Sequence, residues 1–343
     1  MKDFGIIRIA AMLAGCILFA GCVRIGDMEP VEEAIIFDAG SLLLRDDATR
    51  ATLLEGGEFS VDQTIDVFGR RHVNEDDALI FNGTEVQKKS ALLWDYTPHR
   101  YWYWKSESDF YDFLGVYPCD KAVIMDIPGN LAVKAVYDIT AGDNYDLMMA
   151  GYRRSGSAVN RLGTVPLGFS HMMAAVRVVV TNDSKDTDLT LDSYAFRHII
   201  VKASAKVTID ALGKPEFSWI DTQRNTTEYR SYTPDMVLYG KNNAGDHSRE
   251  GAWDFFVPAD LSLTSNGSDS QDYMPRLNLS YTVGAVNYSE SILLKDVDSI
   301  DSWEAGVKYT YNIHIRLDGG VLISVITTRW DEIEAETPGL LID

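Results

Sequence analysis

From residue 34 onward the chain alternates apolar and polar side chains, and the alternation is cut at short intervals by Gly, Pro, Asn and Asp. Such a period sends successive side chains to opposite faces of an extended backbone, whereas a helix with one buried face repeats its apolar positions about every 3.6 residues. The clearest stretch is 308–317, where Tyr309, Tyr311, Ile313, Ile315 and Leu317 share one face while Lys308, Thr310, Asn312, His314 and Arg316 share the other. Asp318-Gly319-Gly320 follows, and the β-branched run 321–330 completes a hairpin about a glycine turn. A second hairpin is expected from 276–283, with Leu277, Leu279, Tyr281 and Val283 inward, then Gly284, then 285–294. Further strands are expected at 34–37, 65–68, 132–139, 145–152, 174–181, 207–209 and 253–257. The expected fold is all-β, and the strand spacing suits two β-sandwiches in tandem.

Length agrees with two units, since 343 residues exceed what one ordinary domain needs. Residues 153–163 carry Ser155, Gly156, Ser157, Asn160 and Gly163 between apolar runs. That shift places the junction near Arg161 to Val165 and divides the folded part into 34–162 and 163–343. The polar run 183–188 reads as a loop within the second unit.

The first residues obey different rules. A short charged start reaches Arg8, an apolar run covers 9–19, and Ala20-Gly21-Cys22 follows. The run is too short to span a bilayer and reads as a secretory signal over residues 1–21. Leu18-Phe19-Ala20-Gly21-Cys22 resembles a bacterial lipobox, in which Cys22 would be diacylated. Leu13-Ala14-Gly15-Cys16 is a rival with a shorter apolar run before it. Residues 22–33 suit a tether, and two acyl chains hold a protein on a membrane without a transmembrane helix.

Asp and Glu outnumber Lys and Arg by 51 to 31, and loss of residues 1–21, which carry Lys2, Arg8 and Asp3, leaves the remainder more negative still. An acidic surface of that kind repels phosphate backbones and anionic headgroups, so nucleic acid is not an expected partner. Of three cysteines, Cys16 and Cys22 belong to the leader; Cys119 would then stand alone as a packed small residue.

Motifs that carry chemistry are missing. The six histidines show no metal spacing, and no nucleophile elbow, phosphate loop or dinucleotide fingerprint occurs. Neither enzyme activity, a metal nor a cofactor is expected. The densest feature is Trp94-Asp95-Tyr96-Thr97-Pro98-His99-Arg100-Tyr101-Trp102-Tyr103-Trp104. Exposed, Trp94, Trp102 and Trp104 would form a sugar-stacking platform, as in a glycan-binding outer-membrane lipoprotein of a nutrient-uptake system. Buried, Trp102 and Trp104 would share one strand face as core, with Tyr101 and Tyr103 closing the sheet edge.

Several segments, taken in order, resemble the fimbrillin family of type V pilus subunits. They are Ile35-Ile36-Phe37-Asp38-Ala39-Gly40, Ala48-Thr49-Arg50-Ala51-Thr52, Phe59-Ser60 and Ile65-Asp66-Val67-Phe68-Gly69. Arg100-Tyr101-Trp102 and Tyr111-Asp112-Phe113-Leu114-Gly115-Val116-Tyr117-Pro118 come next. Asp146-Leu147-Met148-Met149-Ala150, Pro166-Leu167-Gly168-Phe169-Ser170-His171 and Trp303-Glu304-Ala305-Gly306-Val307-Lys308-Tyr309-Thr310-Tyr311 complete the set. The resemblance implies two transthyretin-like β-sandwiches, export as a lipoprotein to the outer membrane, and a place in a surface fimbrium used for adhesion to a host or bacterial ligand. It also implies that an Arg-specific protease cuts after Arg50, with Arg45 as a second candidate. Residues 35–44 would then leave, and other pilus subunits would bind by β-strand addition. The chain departs from a polymerising stalk subunit in having only thirteen residues, many acidic, after Trp330. Tip, accessory and anchor positions all stay open.

Overall fold

The computed structural model describes residues 33–41, 59–73, 76–91, 93–127, 130–159, 161–232, 236–265, 270–316 and 320–329. Its strands, in chain order, are β1 (Phe37–Ser41), β2 (Thr64–Val73), β3 (Asp76–Ser90), β4 (Leu93–Asp95), β5 (Phe110–Tyr117), β6 (Ala122–Ile127), β7 (Asn130–Asp138) and β8 (Met148–Ser155). After these come β9 (Val165–His171), β10 (Ala174–Asn182), β11 (Leu189–Arg197), β12 (Ile200–Ile209), β13 (Pro215–Arg224), β14 (Tyr229–Tyr232), β15 (Met236–Leu238) and β16 (Ser248–Glu250). The last are β17 (Asp254–Phe256), β18 (Ala259–Asp260), β19 (Arg276–Val283), β20 (Val286–Leu293), β21 (Ser302–Trp303), β22 (Val307–Arg316) and β23 (Gly320–Arg329). Among the described residues the helical elements are three short 3-10 turns, and the protein is all-β as the alternation requires.

Seven strands form the first sheet in the order β1-β9-β8-β5-β2-β3-β4. It curls until its two end strands, β1 and β4, lie against each other. The enclosed space is filled by one face of every strand: Ile65 and Val67 from β2, Phe81 and Val86 from β3, Phe113 from β5, Leu167 and Phe169 from β9. Gly115 on β5 makes the curl possible, since a Cβ there would stand 2.7 Å from the Phe169 ring.

On the outside of this near-barrel Phe68, Leu114, Val116 and Met149 point the other way and are covered by a second, four-stranded sheet, β13-β12-β7-β6. Its contribution is Leu131, Val133 and Ala135 from β7 and Ala205, Val207 and Ile209 from β12. Strands β2, β5 and β8 are therefore buried on both faces, which explains the runs of consecutive buried residues in β2 and β5.

The remaining strands make a sandwich of two sheets, β16-β10-β22-β23 with β17 also on β10, and β14-β11-β19-β20 with β15 also on β11. Val176, Val178, Tyr311 and Ile313 of one face Leu191, Phe196, Leu277 and Leu279 of the other. Trp303 is the keystone: it stacks on Phe256 at 5.1 Å and donates its indole N–H to the Tyr311 hydroxyl at 3.0 Å. Burial pushes the Tyr311 phenol far above its ordinary pKa, so it stays a neutral acceptor.

Both expected hairpins are present as β19–β20 and β22–β23, and 183–188 is a loop. The stretch 153–163 begins in the last residues of β8 and leads toward β9, its neighbour in the same sheet. The chain then builds β10 and β11 in the second sandwich, returns with β12 and β13 to complete the sheet of β6 and β7, and goes forward again from β14. Strands from both sides of residue 162 thus share two sheets. A polar, glycine-bearing stretch marks a turn in the path, and long-range pairing decides where sheets begin and end.

Candidate functional site

The groove that holds β1 is the most distinctive local construction. Parallel to β9, the strand has Phe37 opposite Val165, Ala39 opposite Leu167 and Ser41 opposite Phe169. On its other side the backbone is tied to the segment after β4: Ile35 N–H donates to Arg100 O at 2.8 Å, and Trp102 N–H to Glu33 O at 3.0 Å. The Tyr96 hydroxyl completes the clamp, donating to Ile35 O at 2.8 Å and accepting from Arg100 N–H at 3.1 Å. Burial pushes that phenol up to about 12.

Alternation sorts the strand cleanly. Ile35, Phe37 and Ala39 are buried in the barrel, while Ile36 and Asp38 face solvent. Phe37 meets Phe81 and Phe113 edge-on at 5.3 and 5.7 Å and Tyr96 at 5.8 Å. Such ring pairs add about 0.5–1.5 kcal/mol each beyond burial.

Where the chain is next described, Phe59 re-enters the same barrel. Its ring stands edge-on to Trp94, Tyr117 and Phe169, and the buried Lys88 ammonium donates to Phe59 O at 2.6 Å. One hydrophobic cluster thus grips the chain both before and after residues 42–58.

The aromatic run lies in this cluster. Trp94, Trp102 and Trp104 are 3%, 1% and 4% exposed, and Trp102 stacks on Trp104 at 5.5 Å. With both ring faces covered, no sugar can stack on them. Tyr101 is exposed and bridges Ala34, and the Tyr111 hydroxyl donates to Tyr103 O at 2.7 Å. Cys22, Arg45 and Arg50 fall outside the described residues.

Ionic groups elsewhere are structural in geometry. Asp112, almost wholly buried, accepts two bonds from Arg153 at 2.6 and 2.8 Å and lies 3.3 Å from His72. Asp146, pushed upward by burial, is 2.6 Å from His171. His314 pairs with Asp183 at 3.1 Å from the solvent side of β22. Among the described residues there is no group of three His, Cys, Asp or Glu that could hold a metal ion, and no helix long and apolar enough to cross a membrane.

A curled sheet holding its own first strand in an aromatic groove, a second sheet packed on its outer face and a β-sandwich beyond define an all-β protein built from stacked sheets. A family model described as fimbrillin-like matches residues 49–330, and the chain belongs to that family; it is a structural pilus subunit. Similar folds include a protein assigned to cell adhesion from Bacteroides uniformis, 17% identical, covering 88% of this chain and 100% of that one with a TM-score of 0.50. Another, from Bacteroides ovatus, is 12% identical with coverage of 90% and 100% and a TM-score of 0.47. The fimbrial anchor protein Mfa2 from Porphyromonas gingivalis is 9% identical, with coverage of 87% and 97% and a TM-score of 0.32. No curated protein matches the chain.

The pairing partners of β1 were beyond the reach of sequence reading. Tyr96 clamps the start of that strand and Lys88 holds Phe59 in the same barrel; Tyr96 lay in the aromatic run and Phe59-Ser60 in the family resemblance, while Lys88 carried no signal.

Proposed function

We propose that this pilus subunit assembles by strand replacement, with β1 holding the place that a neighbouring subunit's strand takes after cleavage at Arg50 or Arg45. The carrying observation is that β1 is an edge strand whose apolar side chains are buried in the barrel and whose covalent link onward runs through residues 42–58. Burial of Ile35 and Phe37 stabilises the strand by roughly 1.5–3 kcal/mol each, so it does not leave unaided. While the link is intact the strand rebinds at a high effective concentration; a cut makes its departure permanent. Loss of β1 would leave unpaired N–H and C=O groups along β9 and an aromatic trench, and an incoming strand satisfies both.

Lipid on Cys22 would carry the precursor to the outer membrane and leave with β1. A structural role without catalysis is in keeping with this reading. Mass spectrometry on native cells tests it by comparing the parent chain with Arg50→Ala. A mature N-terminus at Ala51, lost in the variant together with high-mass oligomers, is the expected result. An intact Cys22 N-terminus as the sole form would overturn assembly by cleavage.

A further inference from the structure

The last strand offers a second, different edge. In the order β16-β10-β22-β23, no described strand pairs with the outer side of β23. From Val321 to Thr328 it carries no charged side chain, in a chain whose net charge is -20. Leu322 and Ile326, on its outward face, are 50% and 58% exposed. Val321, Ile323 and Val325, on the inward face, are only partly buried against the main cluster. Natural edges are normally blunted by lysine, proline, bulges or a covering loop. Here the blunting is partial: Asp298 Oδ2 accepts from Val325 N–H at 2.7 Å, and Ile300, Asp301 and Glu304 line an open cleft beside Thr327, Thr328 and Arg329. Asp298 and its neighbour Ser299 both adopt left-handed backbone, with φ of 49° and 57°.

That one bond also fixes which groups are free. Val325 N–H points away from β22, so the odd residues of β23 present their N–H and C=O outward and the even residues bond across to β22. We infer that β23 is a self-association edge, on which the β23 of a second copy of this chain pairs antiparallel about a two-fold axis through Ser324, with Asp298 as the group it displaces. In that register Ile323 bonds with the partner copy's residue 325 and Val321 with its residue 327, so every paired position is an outward-bonding one. The two-fold also lays Leu322 beside the second copy's residue 326, covering both exposed apolar side chains at once, and lets the half-buried inward row continue across the join.

A second copy is favoured because the alignment lays Leu322 against residue 326 in both directions at once, and because residues 321–328, which do the pairing, bring no charge of their own against their counterparts, Asp298 being the carboxylate that must move aside. The proposal concerns a strand and an edge other than those of strand replacement at β1, and it stands or falls separately from that reading.

Register is directly testable, because residues facing each other at the two-fold in a non-bonded antiparallel pair have Cα atoms about 4.5 Å apart, within disulfide reach. In the chain extracted in mild detergent and oxidised, Ser324→Cys is expected to give at least about tenfold more disulfide dimer than the parent, whose native cysteines set the baseline. Adding Ile326→Asp, which opposes an acid to an apolar neighbour across the axis, is expected to lower that yield about tenfold, and adding Asp298→Ala to raise it. A Thr310→Cys chain, one strand inward, should stay at baseline. Ser324→Cys at baseline in a chain with parental circular dichroism and melting would overturn the proposal. So would cross-linking of the introduced thiol to a different protein rather than to its own copy.

Discussion

Cys119 shows how a single side chain can be read from sequence and then refined by its surroundings. Alone in the folded part, it reads as a small packed residue. The structure places it half-buried beside Thr64, Asp66 and Glu85, and burial with two acids nearby pushes its thiol up to about 12. A raised thiol is neutral below that value, so at pH 8 only about one molecule in ten thousand holds a thiolate. Alkylation of Cys119 by iodoacetamide at pH 8 is therefore expected to be at least about a hundredfold slower in the folded protein than in denaturant. Mass spectrometry of the Cys119 peptide over time measures it, and equal rates would contradict the burial. Tryptophan was less legible. The alternation of Trp102 and Trp104 is the same whether a strand faces core or ligand, and the deciding fact is that Tyr111 and Phe113 of β5 pack against those rings inside the curled sheet.

At the scale of elements, local pattern carried far and then stopped. The hairpins β19–β20 and β22–β23 could be read because turn, alternation and partner lie within one short stretch. Strand β2 was seen only as 65–68, because its continuation Gly69-Arg70-Arg71-His72 is polar; those residues pair with β3 and β5 nonetheless. The parallel pairings of β1 with β9 and β10 with β22 join residues more than a hundred positions apart, and alternation says nothing about which strands meet. The return of β12 and β13 to the first half was likewise invisible. It has a measurable consequence at Gly151 on β8, where a Cβ would stand 2.6 Å from Pro215 Cβ and 2.9 Å from Ile209 Cδ1. Both belong to the returning hairpin, and a proline ring cannot swing away. Gly151→Ala is expected to cost about 1–3 kcal/mol in urea unfolding. A neutral result would mean that β12–β13 does not press on β8 as described.

For the whole molecule the question is whether an architecture of three layers followed by a sandwich unfolds as one body or two. One cluster of buried side chains runs without interruption from Phe68 and Leu114 through Val133, Val207 and Phe196 to Tyr311 and Ile315. The barrel cluster of Phe37, Phe113 and Trp102 is divided from it only by strands that serve both. Loss of the sandwich would strip β10 and β11, and with them the path by which β12 and β13 reach β7; loss of that sheet would expose the outer face of β2, β5 and β8. Neither half keeps its core without the other. Differential scanning calorimetry is therefore expected to show a single endotherm whose calorimetric and van't Hoff enthalpies agree, despite a length at which independent domains are common. A ratio of calorimetric to van't Hoff enthalpy near two would instead mean that the shared sheets part readily and that each half holds its core alone.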